Sequence, residues 1–262
     1  MSSGILSEMT LEDVRAFEPE VVVMGIGSTE PHGPILPYGT DYFQCDAVCR
    51  RAVTRANEQG ARVLMYPTLP IGNNVNFKKW PFACRVRVRT LMMVVLDIIE
   101  ALEEDGIRKI VLVNGHGGNT DTLHAALREH MDRTPLERRA FVCVTFGMAS
   151  KDAMQAIEHP SDHGGEGETS RMMYLRPDLV RTENLQELPF GTPLIESIHD
   201  GRVYYVRPWY LHVPMGGGGE TRKASPEKGK SIIESSGKNL GEFLVNLSNT
   251  PWNPNFPYPA GA

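Results

Sequence analysis

The chain predicts an α/β fold, a three-layer α/β/α arrangement around a mostly parallel central sheet. Two observations carry this. The order strand, glycine turn, helix is written twice before residue 132, and a third β-rich run follows at 141–146. Alternation of that kind builds parallel strands joined by covering helices. Val21 to Ile26 is a β-branched run closed by Gly27 and Ser28, which reads as a buried strand ending in a turn. Asp41 to Gln59 has apolar positions at helical spacing and Gly60 as its stop. Val63 to Tyr66, before Pro67, is a second short strand. Leu69 to Pro81, rich in Gly and Asn, reads as a loop too polar for the core and a candidate rim. Arg85 to Arg89 alternates Arg with Val, as a strand with one wet face would. A helix is expected over Thr90 to Glu104, a strand over Lys109 to Val113, a helix over Asp121 to Met131 and a strand over Phe141 to Phe146. A further helix is expected from Glu166 to Leu175, ended by Pro177, and a last one from Pro226 to about Asn246. Between Arg181 and Ser225 the periodicity fades into Pro, Gly and aromatic residues.

At 262 residues and 41% hydrophobic content the chain can bury one large core, so a single domain over 1–262 is the simplest organisation. Four prolines mark a tail at about 250–262 that is expected to wrap a surface or a neighbouring subunit. The net charge of −5, with Lys and Arg dispersed, argues against nucleic acid or an anionic membrane as partner and favours a small polar substrate. No basic start leads into an apolar stretch and no run approaches spanning length, so the expected compartment is cytoplasmic. Cys45, Cys49, Cys84 and Cys143 lack Cys-x-x-Cys spacing and read as reduced, mostly buried thiols.

Three stretches hold metal-ligand residue types where strands should end. In Glu30-Pro31-His32 the two ligand types are two apart, so in an extended segment they point the same way, and Pro31 stiffens the segment between them. Asp41 starts the following helix, where a carboxylate is favourable and has two oxygens free to bridge a cation pair. His116 sits among glycines after a strand, with its imidazole at the sheet's carboxyl edge. His163 and Glu168 are five apart, so one can serve a metal and the other a substrate. Ser170 and Cys143 lie in no Gly-x-Ser-x-Gly elbow and beside no histidine, which argues against a serine or cysteine hydrolase. His124, His130, His159, His199 and His212 read as surface or satisfied core residues, His212 drawing notice only because it precedes the glycine run 216–219. A rival reading takes the Gly-rich turn as a cradle for a phosphorylated ligand in a non-catalytic binding module, although no Gly-Lys phosphate signature is present. Trp80, Tyr204, Tyr205 and Trp209 could line an apolar wall.

Taken in order, the segments Gly27 to Asp41, Asn114 to Asn119 and His163 to Ser170 resemble those of the creatininase (creatinine amidohydrolase) family. The resemblance implies an α/β/α fold, two divalent ions, Glu30, His32, Asp41 and His116 as ligands with Asp41 bridging, and often a homohexamer. The departures are local. Creatininase proper has a Tyr-Glu pair after the motif histidine, its Glu a ligand, where this chain has Gly117 and Gly118; Glu168 is then the expected fifth ligand. Residues 80–84 and 218–221 also depart from the family pattern, so the pocket is expected to be rebuilt. The resulting expectation is a metal-dependent hydrolase with Zn, Mn or Fe that opens a cyclic amide or related C–N bond, with His163 and Glu168 catalytic. His163 would steady an oxyanion or protonate the leaving group, and Glu168 would relay a proton. The alternative within enzymes is hydrolysis of a C–C bond in a cyclic diketone of the diketo-inositol type.

Overall fold

Six consecutive buried residues, Val21–Ile26, form the central strand β1 of a computed structural model that describes residues 4–137, 139–161, 163–199 and 202–261. A strand buried along its whole length must be covered on both faces, and it is. Strands β2 (Val63–Leu69), β3 (Lys109–Asn114) and β4 (Phe141–Thr145) complete a sheet of order β2-β1-β3-β4 in which every pairing is parallel. Around it run α1 (Leu11–Phe17), α2 (Thr40–Glu58), α3 (Val88–Glu104), α4 (Thr120–Arg133), α5 (Lys151–Gln155), α6 (Glu166–Leu175), α7 (Glu196–His199), α8 (Trp209–His212) and α9 (Pro226–Asn249). A two-residue ladder pairs β5 (Glu187–Leu188) with β6 (Gly219–Glu220).

The period-2 alternation of β1 sorts the two cores. Val21 and Val23 face Cys45, Cys49 and Ala52 of α2 and Leu240 and Leu244 of α9. Val22, Met24 and Ile26 face Leu91, Val95 and Ile99 of α3 and Leu123 of α4. The three layers expected from the sequence are therefore present. α9 lies close to its neighbours because Gly229 has no side chain: a Cβ there would fall 1.9 Å from the Ser170 carbonyl oxygen. Its carboxyl end is held by Lys109, a buried lysine whose ammonium donates to the carbonyls of Leu247, Ser248 and Thr250.

Several expectations are corrected. Residues 85–89 form no strand: Arg85 makes one isolated bridge to Gly72, and α3 already begins at Val88, because Leu91 and Val95 at helical spacing have a core to fill. β2 runs through Pro67 to Leu69; it is an edge strand, where the missing N–H costs no ladder bond. The 69–81 loop is not all rim, since Asn73, Asn74 and Phe77 are buried. Cys84 is exposed, unlike Cys45 and Cys49. The tail does pack on the molecule, with Phe256 edge-on to Phe141 at 5.2 Å, at the amino-terminal end of the sheet.

Glu234 on α9 ties three helices together. Its carboxylate accepts from Arg51 Nε at 2.9 Å and Arg55 Nη2 at 3.0 Å, both on α2, and from the Tyr174 hydroxyl of α6 at 3.1 Å. The Arg51 bond above all holds the Glu234 carboxyl below its ordinary value. A depressed folded-state value means stability that is present above the ordinary carboxylate range and is lost as the pH falls through the depressed one. Glu234→Gln is expected to lower unfolding stability by about 1 kcal/mol at pH 7. In urea titrations the gap to the parent should close on acidification, and a gap that is unchanged at acid pH contradicts this account.

Candidate metal centre

The chain leaves β1 for β2 on one side, whereas β3 lies on the other, so the connections diverge between the carboxyl ends of β1 and β3. Such a switch point opens a crevice at the strand ends. Ile26 and Asn114 are partners across it, and the Gly115 N–H donates to the Ile26 carbonyl at 2.9 Å. Asn119 joins the same loops: its amide donates to the Gly27 carbonyl at 3.1 Å and its Oδ1 accepts the Asn73 N–H at 2.9 Å. Glu30 and His32 follow β1, Asp41 opens α2, His116 follows β3, and His163 with Glu168 enter from the start of α6.

All six converge. Single donor atoms of Glu30, Asp41 and His116 lie within 4.8 Å of one another, as do those of His32, Asp41 and Glu168, and those of Glu30, His32 and His163. Asp41 belongs to the first two groups, and its oxygens divide between them. Oδ1 is 3.2 Å from His32 Nε2, and Oδ2 is 3.1 Å from His116 Nδ1. Glu30 Oε1 is also 3.1 Å from His116 Nδ1, and Glu168 Oε2 is 3.6 Å from His32 Nε2. Glu168 is fixed by the Gly164 N–H, which donates to Oε2 at 2.6 Å.

The second nitrogen of each imidazole identifies what the first can do. His32 Nδ1 is 3.0 Å from the Glu30 carbonyl and His116 Nε2 is 3.2 Å from the Asn73 carbonyl, acceptors that each require an N–H. A neutral ring then turns a lone pair, not a proton, toward the carboxylates, an arrangement that suits a shared cation and that backbone carbonyls commonly orient. Burial alone would keep His32 neutral; without a cation, Asp41 and then Glu168 and Glu30 outweigh it and hold the imidazole protonated up to about 9. His116 is raised in the same way, against its burial, by Glu30 and Asp41. Asp41 Oδ2 is nonetheless buried with no hydrogen-bond partner, because His116 approaches it outside hydrogen-bonding geometry. An orphaned buried carboxylate oxygen among imidazole lone pairs fits divalent cations of the Zn or Mn kind.

His163 differs. Its Nε2 lies 2.8 Å from the Pro31 carbonyl and 3.2 Å from that of Gly216, so the ring proton is committed there. Burial, and then the charge of His32, lower its pKa, and Nδ1 faces Glu30 at 3.8 Å as an acceptor. Of the two roles expected of it, protonating a leaving group requires a proton first taken up at Nδ1. The glycine run at 216–219 therefore matters through the Gly216 carbonyl, whereas His212 bonds Arg207. His124 and His159 are exposed and His130 is paired with Glu103, as anticipated; the His199 side chain lies outside the described residues. Ser170 accepts the Ser225 N–H at 3.1 Å, and burial pushes the Cys143 thiol up to about 11, so neither is an activated nucleophile.

A cavity of about 920 Å³ opens over these groups. Tyr204, Tyr205 and Trp209 line it as expected, whereas Trp80 packs behind, against the Phe77 cluster. Phe77, which sequence reasoning missed, packs its ring at a tilt against His163 and Trp209, with ring centroids 5.1 and 5.0 Å away. Asn73 was also missed; the Asn73-Asn74 pair in an otherwise open loop was its one signal. Gly118 explains the changed ligand set, since a Cβ there would lie 2.3 Å from the Asn73 oxygen and 2.4 Å from His116 Nε2. No side chain fits at 118 while Asn73 orients His116.

The family model described as Creatininase, creatinine amidohydrolase, matches residues 7–244. The chain is 29% identical over 230 residues to the creatinine amidohydrolase of Pseudomonas putida, covering 82% of this chain and 84% of that one. It is 28% identical over 237 residues to the mycofactocin precursor peptide peptidase of Mycobacterium ulcerans, covering 88% and 86%. A solved structure of a Zn-Zn type creatininase mutant superposes with a TM-score of 0.74 at 27% identity over 95% of this chain and 100% of that one, and a Mn creatininase does so at 0.75 and 26% over the same shares.

Asp41, whose two oxygens face different histidines, should be needed for metal retention. Metal-depleted protein given Zn or Mn is expected to gain thermal stability. Asp41→Asn should abolish that gain, and His116→Ala should reduce the bound metal found by elemental analysis. Unchanged metal content in both variants would contradict the assignment.

Proposed function

We propose, from the premise that this chain belongs to the creatininase family, that it is a metal-dependent hydrolase opening a cyclic amide or related C–N bond in a small polar substrate. The observation that carries the reading is the division of the Asp41 oxygens between two ligand groups beneath one cavity. Glu30 and His116 would complete one group, and His32 and Glu168 the other. Divalent cations bound there supply an acidified water and a polarised carbonyl.

The chain's own side chains then have distinct tasks. The carbonyls of Glu30 and Asn73 keep His32 and His116 turned with lone pairs inward. Glu168, anchored through Oε2 by Gly164, would take the proton of the attacking water. His163, neutral in its buried position, would accept that proton at Nδ1 and return it to the departing nitrogen. Phe77 and Trp209 pack on its ring and keep water from the transfer. A phosphate-binding module is disfavoured because Glu30, Asp41 and Glu168 surround the place an anion would take. Two relatives, named as an amidohydrolase and a peptidase, support cleavage of a C–N bond, and the 24% identical 3-dehydro-scyllo-inosose hydrolase of Thermotoga maritima supports the diketo-inositol alternative. No helix among the described residues is long and apolar enough to cross a membrane.

Metal-loaded protein should turn over members of a panel of cyclic amides, formamides and short peptides. His163→Ala is expected to lower kcat by about 10²–10⁴-fold with bound metal retained, and Glu168→Gln to lower both. Inactivity of the parent across the panel, or full activity of His163→Ala, would overturn the mechanism.

A further inference from the structure

Two glycines on the cavity wall have no steric reason to be glycine. Gly117 follows His116 and Gly167 precedes Glu168, and both line the cavity. A Cβ at either position would meet nothing within 4 Å, and neither backbone is left-handed. They differ in this from Gly118, where no side chain fits, and Gly167 lies in the first turn of α6, where alanine would serve the helix better. What the two positions share is the space they leave beside two side chains of the metal centre. The same cavity continues to the carboxyl end of β4. Thr145 pairs with Val113, so Phe146 stands one strand spacing, about 5 Å, beyond the strand that delivers His116. There Phe146 and Met154 line the cavity while 61% and 48% exposed, together with Val48 of α2 and with Ile157, which packs with Ile232 of α9. This wall is fixed to α9: the Met148 carbonyl accepts from the Asn239 amide at 2.6 Å, and the Ser150 N–H donates to the Ser235 hydroxyl at 3.2 Å.

Single apolar side chains on a surface are ordinary, whereas several that line one cavity mark a ligand. The volume of about 920 Å³ stands near the top of the range, about 300–1,000 Å³, that buries drug-sized ligands. A compact polar amide held at the metal centre would leave the β4 end filled with water against apolar carbon, which is unfavourable. We infer that the substrate carries a bulky alkyl or aryl arm next to the scissile amide, and that this arm passes over Gly117 and Gly167 to lie against Phe146, Met154 and Val48. The inference rests on the hydrolase reading of the same cavity and extends it from compact polar amides to amphiphilic ones. The distribution of charge agrees: Glu30, Asp41 and Glu168 gather at the metal end, while Val48, Phe146, Met154 and Ile157 bring none to the other.

Acetohydroxamate and hexanohydroxamate share a metal-binding head and differ only in the length of an alkyl arm, which suits them to calorimetric titration of the metal-loaded protein. The parent should bind the longer probe about 10- to 100-fold more tightly, at about 4-fold per buried methylene. Phe146 and Met154 are partly in water, so the double variant Phe146→Ser, Met154→Ser should fold, keep its metal content and lose most of that preference. Gly167→Leu, which fills open space on a helix, should weaken the longer probe more than the shorter one. Equal binding by the parent, the result expected if a second copy of the chain covers the β4 end, would overturn the assignment. Binding of neither probe, or an undiminished preference in both variants, would overturn it too. Turnover is scored separately on formamides and cyclic amides with and without the same arm. A preference that the variants abolish, without any turnover, would retain the apolar subsite and remove the hydrolase reading. Turnover of the armless amides beside equal binding of the two hydroxamates would do the reverse.

Discussion

Three carboxylates and three imidazoles, five of the six side chains essentially out of water, share a few ångströms at one end of a parallel sheet. Their mutual placement is the constraint on which the rest depends. Buried carboxylates at such spacing repel unless cations intervene, whether protons on imidazole or divalent ions. The surroundings supply neutral orientation rather than charge: backbone carbonyls for His32, His116 and His163, and one backbone N–H for Glu168. A shell of dipoles fixes where lone pairs point and leaves the charge balance to whatever the carboxylates bind.

The sheet topology makes that concentration of charge affordable. Because the chain turns opposite ways after β1 and before β3, the carboxyl ends of the two strands are free of crossing connections, and loops can dip into the gap. Asn119 and Asn73 close the gap laterally by bonding one loop to the next. α6 and α9, pressed together at Gly229, bring the third motif to the same place. The most exact requirement falls on Asn73, whose carbonyl both orients His116 and excludes a side chain at Gly118. The ligand set of this chain and its departure from a Tyr-Glu pair are thus one steric fact.

Much of the fold was legible. Val21–Ile26 and Lys109–Asn114 were readable as strands because burial on both faces demands an unbroken apolar run, and α6 because a proline stops it. Residues 85–89 misled because alternation over five residues also fits the entry of a helix whose apolar face becomes visible only further on. The loop 69–81 misled for a different reason: polar side chains there satisfy buried backbone groups, and composition cannot separate a buried polar residue from a wet one. Phe77 and Asn73 were accordingly missing from the reading of the site.

Residue types and spacing alone determined the ligand inventory, since Glu30, His32, Asp41, His116, His163 and Glu168 sit in short motifs whose chemistry is local. Only the tertiary structure decided how they divide: which oxygen of Asp41 meets which histidine, and which nitrogen of His163 is spent on the backbone. The reason is geometric. A motif fixes what a side chain is, but the direction of a lone pair or an N–H depends on partners more than forty residues away, such as the Asn73 carbonyl at His116 and the Gly216 carbonyl at His163, and those partners exist only once the layers have packed.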